Sequence, residues 1–223
     1  MCKSIYLIQI IMEIDKIFAN NKKWVSKQLE LDKNYFKNLS KGQSPEFLCI
    51  GCSDSRVSAE AITGLEPGDV FIHRNMGNLV PNTDLNVMSV INYAVDHLKV
   101  KHIVVCGHYY CGAVHAAMQP LDMGIINPWL RNIRDVYRLH KNELNSIADE
   151  EKKYKRLVEL NVHEQCLNVL KTAVVQKAYQ KNIIQVHGWV WDMHSGILLD
   201  LNIDNDKIMD DIMEIYCLKK DET

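Results

Sequence analysis

HIVVCGHYYCG, residues 102–112, is an apolar run that stops at a glycine and then releases a histidine and a cysteine three residues apart. Runs this short, bounded by turn signals, suit strands buried on both faces of a parallel sheet. FLCIG at 47–51 and VFIH at 70–73 have the same character, and residues 183–188 predict a fourth strand. Between them, Leu85, Met88, Ile91, Val95 and Leu98 recur at helical spacing behind Asp84, a good N-cap residue. Strands alternating with helices predict an α/β fold, a mostly parallel central sheet flanked by helices. Residues 13–38 and 150–180 read as long amphipathic helices, the first forming an N-terminal helical arm. Residues 194–203 read as a hairpin-like turn into an added C-terminal strand, and the stretch from Asp206 as a final helix.

Two chemistry-bearing segments stand directly after predicted strands: Cys52-Ser53-Asp54-Ser55-Arg56 after FLCIG, and His108-Tyr109-Tyr110-Cys111-Gly112 after HIVVCG. In open parallel sheets ligands bind outside the carboxyl ends of the strands, so neighbouring strands can bring both segments to one crevice. Thiolate sulfur, imidazole nitrogen and carboxylate oxygen are ligand types that zinc accepts, and Cys52, His108 and Cys111 supply three of them. Asp54 either fills the fourth position or leaves it to water. Two residues apart on extended chain, Asp54 and Arg56 project to the same side, so the guanidinium can draw the carboxylate away from a metal.

Other arrangements compete for the same residues. Cys49 and Cys52 spell Cys-x-x-Cys, a redox pair or half of a structural zinc site with His108 and Cys111. Against it, residues three apart on a strand point to opposite faces. Cys106, inside the apolar run, reads as core. Residues 107–112 lack the Gly-Lys-Ser/Thr ending of a phosphate loop, and the chain contains no Gly-x-Gly. His163-Glu164 lacks the second histidine of a zincin helix, and residues 152–156 read as a solvated helix face.

The 223 residues are 47% hydrophobic and 24% charged, a globular composition. Twenty-six basic against 28 acidic residues give a net charge of -2, which provides no general attraction for nucleic acid or anionic lipid. The apolar run at 5–12 is too short to span a bilayer and passes straight into a charged helical pattern, so neither a membrane segment nor a signal peptide is expected. Seven cysteines without scaffold-like spacing suit reduced thiols and a cytoplasmic protein. Helical periodicity begins near Met12, a second candidate start, which leaves 1–11 as an extension and 12–223 as one domain.

GCSDSRV at 51–57, GLEPGDVFIHRN at 64–75 and VVCGHYYCG at 104–112 together resemble the bacterial beta-carbonic anhydrases, with similarity running from about Met12 to Leu218. The resemblance implies one Zn2+ per chain on Cys52, His108 and Cys111, with Asp54 as exchangeable fourth ligand and Arg56 completing an Asp-Arg dyad. It implies reversible hydration of carbon dioxide to bicarbonate by hydroxide held at that metal. Gln43 matches the family's active-site glutamine, Val57, Phe71 and Tyr93 match its small apolar substrate pocket, and the Gly112 amide joins Gln43 in orienting substrate oxygens. The family's N-terminal helices embrace a second subunit, so a homodimer or homotetramer is expected, with 13–38 as the arm. Carbonyl sulfide or carbon disulfide hydrolysis, or a non-catalytic zinc-binding interaction role, are the alternatives on the same frame. Some bacterial members also bind inhibitory bicarbonate through a tryptophan, an arginine and a tyrosine; only Arg74 matches, because Cys49 and Trp191 occupy the other positions. Arg74 is therefore expected to pair with a carboxylate instead.

Overall fold

The computed structural model describes residues 2–216, with side chains from residue 13 onward. Its contacts divide into an N-terminal unit, Met1–Gln43, and a larger unit, Ser44–Thr223. The first holds α1 (Cys2–Leu31) and α2 (Tyr35–Leu39). One continuous helix was expected over 13–38, but the chain turns at Asp32, whose side chain accepts a hydrogen bond from the Asn34 amide at 2.8 Å. Such a local bond competes with helix propagation. Trp24, Tyr35 and Phe36 then meet edge to face, with ring centroids 5.0–6.2 Å apart.

The larger unit is built on a five-stranded sheet in the order β2-β1-β3-β4-β5. β1 is Phe47–Cys52, β2 Val70–Asn75, β3 His102–His108, β4 Gln185–Trp191 and β5 Leu198–Asp200. The first four run parallel and β5 pairs antiparallel with β4, so the expected α/β architecture is the one observed. From β1 the chain goes out to β2 on one side, then crosses to β3 on the other. The order therefore switches between β1 and β3, and a crevice opens at their carboxyl ends.

Alternation along β1 and β3 divides two apolar layers. Leu48, Ile50, Cys52, Ile103 and Val105 belong to the main core, whereas Cys49, Val104 and Cys106 form a smaller cluster on the other face. The small cluster packs against Ala59 of α3 (Ala59–Thr63), the short helix between β1 and β2. Over the main face lie α4 (Leu85–Asn92), α5 (Gly112–Met118), α6 (Asn127–Leu139), α7 (Lys141–Ser146), α8 (Glu150–Leu170), α9 (Ala173–Tyr179) and α10 (Asn205–Tyr216), each adding buried residues to that core. Each of its fully buried leucines and isoleucines contributes about 1.5–3 kcal/mol.

Asp84 caps α4 as expected, accepting from the Asn86 amide at 3.0 Å. Of the predicted apolar stripe, Ile91 and Val95 are buried and Met88 and Leu98 pack against the core, and only Leu85 departs from it. Leu85 is 83% exposed, and Val87, Ile91, Ala94 and Val95 are the buried positions. A π-helical turn, Tyr93–Leu98, follows α4 directly and shifts the phase, so that Ala94 and Val95 both face inward. The helix expected over 150–180 is also two. Thr172 is extended, and its hydroxyl donates to the Val169 carbonyl at 2.8 Å, closing α8 before α9 begins.

α8 comes close to the sheet because of two glycines. A Cβ on Gly107 would stand 2.5 Å from Val162 Cγ2, and one on Gly188 would meet Ile203 Cγ1 at 2.8 Å and Val162 Cγ1 at 3.0 Å. Val162 therefore seats between β3 and β4, one residue from His108. Among the described residues no helix is long and apolar enough to cross a membrane.

Candidate metal centre

Cys52 ends β1 and His108 ends β3, so both leave the sheet at its switch point. Tyr110 then adopts a left-handed backbone, φ +61°, and turns the chain so that Cys111 stands at the N-cap of α5. The side chains of Cys52, His108 and Cys111 converge: their sulfur and nitrogen atoms all lie within 4.8 Å of one another, and all three residues are buried. Cys52 Sγ and Cys111 Sγ are 3.8 Å apart.

His108 is fully buried, and its Nδ1 lies 3.0 Å from the Tyr109 carbonyl oxygen. A carbonyl only accepts, so Nδ1 carries the proton and Nε2 presents a lone pair to the two sulfurs. Nε2 has no hydrogen-bond partner. A buried polar atom left in this state costs about 1–3 kcal/mol, which makes the site fit for an ion rather than for closed packing. The thiols are biased in the same direction. The Cys52 thiol is held well below its usual range by the hydrogen bond from Cys111 against the penalty of burial, with help from the Gly77 amide, 3.5 Å from Sγ. Cys111 is pushed up as the donor to Cys52 and by burial.

Asp54 stands beside this cluster, its Oδ2 3.9 Å from His108 Nε2. Arg56 grips it with a two-pronged fork, Nε to Oδ1 at 2.9 Å and Nη2 to Oδ2 at 2.7 Å, as the i, i+2 spacing suggested. That fork holds the Asp54 carboxyl well below the usual carboxylate range. Nη2 also reaches the Tyr110 carbonyl at 3.3 Å, tying the two site segments together.

The substrate-pocket positions separate. Val57 is buried and lines a cavity of about 100 Å3 with Gly51, Cys52, Arg74 and, from the opposite layer, Cys49 and Cys106. Phe71 and Tyr93 lie outside that lining and pack on one another, ring centroids 5.8 Å apart, with Tyr93 stacked on His97. Gly112 is the first residue of α5, with open space where a Cβ would stand. Gln43 is exposed at the end of the N-terminal unit.

Several residues that hold the site carried no signal in sequence. Tyr154 donates to the Cys111 carbonyl at 3.0 Å, Lys155 lies over the Tyr109 and Tyr110 rings, and Arg156 pairs with Glu143 and Glu159. Residues 152–156 are therefore only in part the solvated face expected of their charges: Lys152 is exposed, whereas 153–156 are half-buried and Tyr154 and Lys155 reach the site segment 109–111. Arg74 is a second correction. Instead of a carboxylate it binds two main-chain carbonyls, those of Cys52 and Asp54. Cys49, by contrast, belongs to the opposite layer, as the strand period predicts.

Residues 47–198 match the carbonic anhydrase family. A carbonic anhydrase of Emericella nidulans is 60% identical over 207 residues, covering 92% of this chain and 91% of that protein. A carbonic anhydrase of Pseudomonas aeruginosa is 38% identical over 72% of this chain and 75% of its own length, so the likeness spans fungal and bacterial proteins. Among solved structures, the beta-carbonic anhydrase CafA of Aspergillus fumigatus superposes with a TM-score of 0.87 at 38% identity, over 93% of this chain and all of that one. A tetrameric beta-carbonic anhydrase from Sordaria macrospora gives 0.82 at 37% identity, over 85% and 96%. Fold, buried Cys-His-Cys cluster and relatives agree: this chain belongs to the beta-carbonic anhydrase family and is an enzyme of that type.

Proposed function

We propose that the enzyme hydrates carbon dioxide reversibly to bicarbonate and a proton at one zinc ion per chain, held by Cys52, His108 and Cys111, with Asp54 exchanging against water at the fourth position. The observation that carries this is the bare Nε2 of His108, buried and facing two sulfurs 3.8 Å apart. When bound, zinc lowers the pKa of a coordinated water towards ~7 and so supplies a nucleophile at neutral pH.

The protein's own residues do the rest. Tyr109 fixes the His108 tautomer through its carbonyl, and the Gly77 amide steadies the Cys52 thiolate. Asp54, ionised and able only to accept, would accept a hydrogen bond from a hydroxyl placed beside it and so turn that oxygen's lone pair outward. Arg56 keeps Asp54 in that role by occupying both carboxylate oxygens. Val57 supplies apolar surface for a small apolar substrate and the Gly112 amide orients its oxygens, while Phe71, Tyr93 and Gln43 serve a site completed by a second subunit. The free thiols at Cys49, Cys52, Cys106, Cys111 and Cys166 suit a reducing compartment, here the cytoplasm. Exposed Ile14, Ile17 and Phe18 on α1 suit an arm that buries them in a homodimer or homotetramer.

Stopped-flow hydration before and after chelation tests the reading. Activity should vanish with the metal and return with about one zinc per chain. Full activity in the stripped protein, or none in the zinc-loaded one, would refute it.

A further inference from the structure

We propose that Arg74 is a positioning residue that fixes the main chain of Cys52-Ser53-Asp54, so that the carboxylate of Asp54 moves by side-chain torsion alone. β1 ends at Cys52, and the last main-chain link to β2 is the Ser53 amide donating to the Asn75 carbonyl at 2.9 Å. Beyond that point carbonyls lose their ladder partners. Arg74 replaces them: Nε donates to the Cys52 carbonyl at 2.9 Å and Nη2 to the Asp54 carbonyl at 2.7 Å. Both bonds are charge-assisted, and a planar fork holds two acceptors in one geometry in a way a lysine cannot.

The register makes room for this. Arg74 pairs with Gly51, which has no side chain and no atom within 4 Å of where its Cβ would stand. The next residue on β2, Asn75, acts in parallel. Its side chain donates to the Leu79 carbonyl and accepts from the Leu79 amide, both at 2.7 Å, closing the loop that presents the Gly77 amide to Cys52. Two consecutive β2 residues thus brace both sides of one ligand.

Asp54 is held by its side chain on Arg56 and by its main-chain carbonyl, which accepts from Arg74 and, at 3.0 Å, from the Val57 amide; the side-chain and main-chain grips are separable. Losing the Arg56 fork frees the carboxylate. Losing the Arg74 fork leaves the peptide that carries it on the Val57 amide alone and detached from β2, so Asp54 no longer returns to one position after leaving a metal. Nothing in this requires Arg74 to touch substrate.

The kinetic part rests on the zinc reading above; the structural part does not, and the test separates them. Amide hydrogen exchange would be followed at 53–57 and, as internal control, at 103–107 of β3, in the purified enzyme and in Arg74→Ala and Arg74→Lys. Metal content and the pH profiles of kcat and KM would be measured alongside. For Arg74→Ala we expect exchange at 53–57 to quicken about tenfold or more with β3 unchanged, the metal retained, kcat down by about 10- to 100-fold and KM within about threefold. Arg74→Lys should fall between, since it restores charge without the fork. Unchanged protection at 53–57 overturns the proposal, and so does equal acceleration in β3, which would make Arg74 a general stabiliser. Should the alanine variant not fold, the lysine variant is judged by the same contrast. If the wild-type enzyme hydrates no carbon dioxide, the zinc reading falls and the exchange contrast alone decides the role of Arg74.

Discussion

Cys49 and Cys52 leave the same strand three residues apart, are buried to nearly the same extent at 8% and 5% exposed, and are made into different things by their neighbours. Cys52 meets a second sulfur, a bare imidazole nitrogen and a main-chain amide, and its thiol is held low, first by the Cys111 bond. Cys49 meets Val104, Cys106 and the packed edges of Phe47, Val70 and Trp189, and burial pushes its thiol up to about 12. A thiol becomes a ligand when other donors surround it and stays a small apolar residue when carbon does. The alternation of the strand, a change of face with each residue, assigns the two cysteines to these environments.

The largest expected effect breaks that contrast directly. Cys52→Ser and His108→Ala should each lose the bound metal and bring hydration to background. Cys49→Ser should keep the full metal complement and activity within about twofold, while burying a hydroxyl at a cost of about 1–3 kcal/mol. Metal analysis on the three variants, with urea unfolding for Cys49→Ser, checks this. Metal loss in Cys49→Ser would restore the Cys-x-x-Cys site.

Next comes the split between holding a metal and using it. Arg56→Ala removes both prongs on Asp54 and none of the contacts among Cys52, His108 and Cys111, so metal content should stay near wild type. Hydration should fall by about 10- to 100-fold as Asp54 settles on the fourth position. An Arg56→Ala enzyme with wild-type kcat would remove the dyad from the mechanism.

The metal side of this contrast was legible because strand ends and ligand types coincide: apolar runs stop where Cys52 and His108 begin, and Arg56 sits at the spacing that meets Asp54. Each strand runs one to three residues further than its apolar pattern, to Cys52, Asn75, His108 and Trp191, because hydrogen bonding in the ladder continues past the hydrophobic residues. The supporting shell was not legible. Arg74 and Tyr154 act on main-chain carbonyls, and every residue has one, so no partner type marks such bonds in a sequence. Charges at 152–156 suggested solvent for a related reason: Glu143, which pairs with Arg156, and the tyrosine rings under Lys155 lie on other elements, and only Glu159 stands at helical spacing on α8 itself. The π turn after α4 escaped because a period of 3.6 assumes one phase throughout.

A smaller effect tests how packing sets the site. Gly107 lies beside His108 and faces Val162 of α8, and a methyl there would need space that Val162 occupies. Gly107→Ala should destabilise the fold by about 1–3 kcal/mol, and Val162→Ala should recover part of the loss in the double variant. Additive destabilisation in denaturant melts would show that the close approach of α8 is not what Gly107 provides.

The smallest expected effect is an absence, and it returns to the face that Cys49 occupies. Bicarbonate inhibition in some bacterial relatives needs three donors at a second site, of which this chain keeps only Arg74. Cys49 replaces an indole N–H with a weak donor on a short stem, buried in the apolar layer. Trp191, the last residue of β4, pairs in register with His108 of β3, and its carbonyl accepts from the Tyr109 amide at 3.0 Å, so its backbone is bound beside the metal-site segment. Arg74 has already committed Nε and Nη2 to the Cys52 and Asp54 carbonyls, and capturing an anion with those donors would mean releasing both. A charge-assisted pair at 2.7–2.9 Å is a poor trade for one hydrated bicarbonate with no partner donors beside it. Hydration rates measured across a bicarbonate titration, at fixed pH and ionic strength, should therefore show only product inhibition with a Hill coefficient of about 1. Steep, cooperative inhibition in the wild-type enzyme would mean that Arg74 gives up its carbonyls on demand, and would make the small cavity that Cys49 and Arg74 both line a regulatory site.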